Sequence, residues 1–93
     1  MEQYSIIPGR VAQSTAGRDK GNLYIIASVV DKEFVTVADG GAKTLAKPKK
    51  KRLKHLKLRE EVAEAISEKL MKGSKVFDSE IRSSLNKIEN NNR

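Results

Sequence analysis

The chain of 93 residues has no cysteine, no tryptophan, one histidine and two prolines, and its aromatic rings are limited to Tyr4, Tyr24, Phe34 and Phe77. Without cysteine there is no disulfide, no thiolate metal site and no thiol nucleophile, which fits a reducing compartment. His55 has no ligand set around it, so neither metal nor cofactor is expected. Single-strand binders offer rows of aromatic platforms. With so few rings, and with Tyr24 and Phe34 reading as core or barrel surface, stacking of unpaired bases along a row of platforms is not expected. The longest apolar stretch, Leu23 to Val30, has eight residues and includes Ser28, against about 20 for a membrane span. The opening residues carry Glu2 rather than a basic n-region, and no apolar h-region follows. A soluble cytoplasmic protein is the expectation. A chain this short buries only roughly 60% of its unfolded surface, and such thin cores rarely enclose a catalytic pocket. No phosphate-binding P-loop, Ser-His-Asp set or metal-ligand spacing is present, so no enzyme is expected.

Acids are missing from one segment, and that gap organises the charge. Residues 43–59 hold nine bases (Lys43, Lys47, Lys49, Lys50, Lys51, Arg52, Lys54, Lys57 and Arg59) and no acid. Residues 1–42 carry four bases and five acids, and residues 60–93 six bases and seven acids. The net charge of +7 therefore resides in 17 residues. Such a concentration attracts polyanions, because each neutralised phosphate releases condensed counterions. The competing reading is a solvated lysine stretch that only solubilises.

The first half has the pattern of strands. Residues 10–14 and 33–38 are short candidates, and residues 23–30 are apolar on both faces, as in a strand bent across a small barrel. Asp39-Gly40-Gly41 marks a turn, after which residues 43–47 are expected to pair back as a fourth strand, ended or placed on an edge by Pro48. The acids Glu60, Glu61, Glu64 and Glu68 mark a solvated helix face, with Val62, Ile66 and Leu70 recurring every fourth residue and Lys72-Gly73 as the stop. A second helix is expected to start at Asp78 or Ser79, with Ile81, Leu85 and Ile88 on one stripe. The last residues, from Asn90, are expected to fray. The resulting expectation is a mainly β domain over residues 1–58 and a tail of two short helices over residues 59–93, packed on the barrel or on a partner through Val62, Ile66, Leu70, Ile81 and Leu85.

Between the first two strands runs Thr15-Ala16-Gly17-Arg18-Asp19-Lys20-Gly21-Asn22. Gly17 and Gly21 let the backbone turn sharply. Arg18 and Lys20 project from the tip, and Asp19 is expected to hold the loop by bonding backbone amides. A strand from Val11, then Gly-Arg-Asp-Lys-Gly, then the apolar strand Leu23 to Val30 resembles a KOW motif, with Gly21 at its characteristic glycine. Together with the basic stretch Lys47 to Leu56, the resemblance covers about residues 5–58. It is nearest to the large-subunit ribosomal protein family called L-fourteen-e and its small bacterial KOW-domain relatives. It implies a small SH3-like β-barrel that binds structured RNA, ribosomal RNA above all, as part of translation. The helical tail is not part of the motif.

The candidate RNA-binding residues are Arg18 and Lys20 on the turn and Lys47, Lys49, Lys50, Lys51, Arg52, Lys54, His55 and Lys57 on the basic run. Leu53 and a later leucine are expected to anchor that run while Lys54, His55 and Lys57 face outwards. A runner-up reading is a NusG-like interaction module that contacts polymerase or ribosomal proteins. Architectural DNA binding is a weaker third. The RNA reading requires the turn and the run to lie side by side.

Overall fold

The computed structural model describes residues 4–91, so the first three and last two residues, part of the expected frayed end among them, lie outside it. Its elements are β1 (Arg10–Ser14), β2 (Leu23–Val29), β3 (Phe34–Ala38), β4 (Lys49–Arg52), a 3-10 turn (Leu53–His55), β5 (Leu56–Val62), α1 (Glu64–Lys72) and α2 (Asp78–Asn91). The five strands form one antiparallel sheet in the order β4-β3-β2-β1-β5. The edge strands β4 and β5 do not pair with each other, so the sheet stays open. They are nonetheless joined by a turn of only three residues, which requires the sheet to curl. Register shifts in the β1–β5 and β2–β3 pairings supply local bends of the kind that bulges produce. That turn is pinned at both ends: the Leu53 amide donates to the Glu33 carbonyl at 2.8 Å, and the Thr15 amide to the His55 carbonyl at 2.9 Å.

Alternation along the strands sends apolar side chains to two cores. The concave side holds Ala12, Tyr24, Ile26, Val35, Val37 and Leu56, with Leu53 and Leu58 at its border. The convex side holds Val11, Ile25 and Ala38, covered by Ile66 of α1 and by Ile81 and Leu85 of α2. The double apolarity of β2 thus has a different cause from the one expected. One face lines the concave core, and helices cover the other. The tail packs on the sheet through Ile66, Ile81 and Leu85, with Leu70 half-buried beside them and Ala63 in place of Val62.

Two segments differ from the sequence expectation. Residues 43–47 form bends rather than a strand. The Asp39 carboxylate accepts the Gly41 and Lys43 amides, each at 2.9 Å, which folds the backbone back on itself. The Asp78 carboxylate accepts the Leu45 amide at 2.9 Å, and Arg82 donates to the Gly40 carbonyl at 2.6 Å, so the loop is tied to α2. Pro48 precedes β4, the edge strand, where its missing amide donor costs no ladder bond. The second difference is β5, which runs through the expected boundary at residue 58 and delays the helix to Glu64. Leu56, Leu58 and Val62 keep a period of two there, and Arg10 holds the strand by donating to the Arg59 and Glu60 carbonyls at 3.3 and 3.0 Å.

α1 ends at Lys72 and α2 starts at Asp78, as expected, while α2 runs on to Asn91, into the end expected to fray. Gly73 takes φ +73°, and its amide and that of Ser74 return to the Leu70 and Lys69 carbonyls, closing α1. Gly40 makes the close approach that seats α2. It has φ +79°, and a Cβ there would strike the Asp78 carbonyl oxygen and lie 2.8 Å from the Arg82 Cγ. Gly40→Ala is therefore expected to cost about 2 kcal/mol through left-handed strain and overpacking. Chemical denaturation measures this, and an unchanged midpoint would show that α2 is not seated through this contact.

Candidate nucleic-acid interface

The turn between β1 and β2 is held by its own backbone. The Gly21 amide donates to Ser14 at 2.8 Å, the Asn22 amide to Asp19 at 2.9 Å, and the Lys20 amide to Gly17 at 3.3 Å. Gly17 and Gly21 take φ +85° and +94°, as the expected sharp turn needs. Arg18 and Lys20 are exposed at its tip.

Asp19 departs from its expected role. Its carboxylate bonds no loop amide; it accepts from the Ser14 hydroxyl at 2.9 Å, the Tyr24 hydroxyl at 2.7 Å and the Lys51 ammonium at 2.7–2.8 Å. Lys51 is 8% exposed and also donates to Ser14 at 3.2 Å. Burial pushes the Asp19 carboxyl up. The hydrogen bonds from Lys51, Tyr24 and Ser14, with the Lys51 charge, outweigh that and hold it well below the ordinary carboxylate range. Burial, followed by the bond to Asp19, pushes the Tyr24 phenol up to about 12. Lys51 is thus a buried cation paired with the turn, unlike the exposed cations beside it on the run. Its pairing opposite Val35 turns it towards the concave side.

The same pair joins the turn to β4. Together they line an open groove of about 740 Å³, whose wall includes Gly17, Arg18, Asn22, Tyr24, Phe34, Lys43, all of β4 and His55. Arg18, Lys49, Lys50, Arg52 and His55 are exposed in it, and Lys43 is half-buried. Its two carboxylates are already engaged, Asp19 by Lys51 and Asp39 by backbone amides. The groove is therefore cationic in its free charges. Turn and run lie side by side.

Other expected residues lie apart. Lys20 and Lys47 are exposed outside the groove wall. Lys54 borders a smaller hollow of about 250 Å³ with Lys32, Glu33 and Leu53, and Arg52 lines both. Lys57 sits on β5, the opposite edge of the sheet, among Tyr4, Arg59, Glu60 and Glu61. Leu53 and Leu56 anchor the run, and Lys54, His55 and Lys57 face outwards.

Phe34 and Lys43 are groove residues that the sequence reading did not assign. Lys43 had a signal, since it opens the acid-free segment. Phe34 had none beyond being an aromatic at a strand end.

Among the described residues no group of three or more His, Asp or Glu side chains is arranged to hold a metal ion, and no helix is long and apolar enough to cross a membrane. No protein-family model matches the chain, and no curated protein matches it in sequence.

Proposed function

We propose that this chain is an RNA-binding protein whose groove between the β1–β2 turn and β4 takes the phosphate backbone of folded RNA, ribosomal RNA in the first instance. The observation that carries this reading is the convergence of exposed Arg18, Lys49, Lys50 and Arg52 on one open groove whose carboxylates are already neutralised or bonded. Backbone phosphates are matched by such a row, because long cationic side chains reach them without reading sequence. The curled sheet, with its edges joined through a single 3-10 turn, supports the finer reading as an SH3-like barrel of the KOW kind; action in the cytoplasm is part of the same proposal.

Three exposed cations on β4 set the expected salt dependence. Replacing Lys49, Lys50 and Arg52 with glutamine should flatten the log–log salt slope of duplex RNA binding by about 2.7 units, from about 0.9 per phosphate. Lys51 adds nothing to that number, because its charge is paired inside. Filter binding across a salt series measures the slope. An unchanged slope takes β4 out of the interface.

A second reading has one observation in its favour. Met71 and Phe77, at the end of α1 and just before α2, are 60% and 56% exposed, and exposed apolar side chains suit a protein partner as in NusG-like modules. A partner retained after nuclease treatment favours that reading over RNA tethering.

A further inference from the structure

We infer that Phe34, with Lys50 and Arg52 beside it, is a stacking site for one unpaired base, so that the preferred RNA is a folded RNA with a loop or bulge rather than a continuous duplex. This rests on the RNA reading above and narrows it.

Phe34 opens β3, and its ring belongs to neither hydrophobic core. Strand alternation separates it from Val35 and Val37, which face the concave core, and puts it on the side of Ala38. The helices cover that side at Ala38 but not at Phe34. The ring is only half-buried, and what lies on it is cationic. The Lys50 ammonium is 4.6 Å and the Arg52 guanidinium 5.2 Å from its centroid. It also lines the groove that collects Arg18 and Lys49.

An aromatic ring held outside the core and under two cations has the chemistry a nucleotide needs. The ring offers a π-face to a base, and a neighbouring guanidinium plane extends the stack. Lys50 has a flexible four-carbon stem and three donors. It leaves the ring for a phosphate when a base arrives, so one residue shields Phe34 in the free protein and binds the backbone in the complex. A duplex cannot use the site, because its bases are already stacked on each other. A looped or bulged base can enter without that cost.

The test compares a hairpin RNA carrying 2-aminopurine in its loop with a blunt duplex of the same stem, titrated at one salt concentration. The full chain is expected to bind the hairpin about ten-fold tighter, the gain of stacking one base, and to quench the 2-aminopurine emission. Phe34→Leu should lose both the preference and the quench, and Phe34→Tyr should restore them. The quench is read on the unaltered protein and does not depend on any variant folding. Equal affinity of the full chain for both RNAs, or a preference that survives Phe34→Leu, overturns the stacking site and leaves phosphate binding standing. No binding to either RNA removes the phosphate reading, and the stacking site with it.

Discussion

Replacing Lys51 with alanine is expected to destabilise the fold by about 3 kcal/mol, the lower end of the range for breaking a buried ion pair. For a domain of this size that lowers the melting temperature by roughly 12–24 °C. The lower end applies because the Asp19 side chain keeps 15% of its surface in water. The carboxylate would be left with two hydroxyl donors and no cation, beneath a turn it no longer ties to β4. Asp19→Asn with Lys51→Met removes both charges together and should recover most of the loss, since neither ion is then stranded. A double-mutant cycle on the urea midpoint measures the coupling. Full additivity of the two single changes would mean that the pair contributes nothing beyond its separate packing.

The same cluster makes the pH dependence specific. The Asp19 carboxyl titrates lower in the folded protein than in the unfolded chain, so the unfolded state binds the extra proton on acidification. Its contribution is complete above about pH 5, and it drains as pH falls through the unfolded value of about 3.9 towards the folded one. Tyr24 has the opposite sign. Its phenol is raised to about 12, so its contribution is present below about pH 10 and is lost as pH climbs from there to the folded value. Asp19→Asn should remove this part of the acid limb. It should soften the alkaline limb without abolishing it, because burial is the larger cause of the Tyr24 shift. Parallel acid limbs in the two proteins would place the titrating group elsewhere.

Local pattern disclosed the elements that local forces determine. Strands β1 to β3 follow from apolar, β-branched runs between turn formers, and α1 ends where Lys72-Gly73 said it would. Residues 43–47 read as a strand pairing back after the Asp39-Gly40-Gly41 turn, yet the Leu45 amide is held by Asp78, 33 positions away. Local bonds from the Lys43 amide to Asp39 and from the Lys47 amide to Thr44 bend the segment, but its tie to α2 is not written within it. In β5 the glutamates suggested a helix start, and only the wish of β1 for a second partner explains why the strand continues to Val62. Lys51 was the least legible site residue. Within a run of like charges it looks as exposed as its neighbours, and its burial follows from parity: opposite Val35, it faces inwards, where Asp19 is waiting. The adjacency of turn and run depends on curl, which bulges and a short edge-to-edge connection produce and no single segment encodes.

Ile81→Ala is expected to cost about 4 kcal/mol, within the range for truncating a fully buried isoleucine, and to lower the melting temperature by roughly 16–32 °C. Ile81 is 0% exposed and stands between α2 and the Val11, Ile25 and Ala38 face of the sheet. The cavity would open at the seam between the two halves that the sequence divides at residue 58, so the response shows whether they melt as one. Both tyrosines, Tyr4 and Tyr24, precede α1, and the chain has no tryptophan. Tyrosine fluorescence therefore follows the sheet half, while ellipticity at 222 nm follows the helices. With two clusters sharing the strands β1 and β2, both probes should shift together and by the same amount. A helix transition that moves while the tyrosine transition stays put would make residues 64–91 a separately melting appendage, and the groove would then owe its shape to the sheet alone.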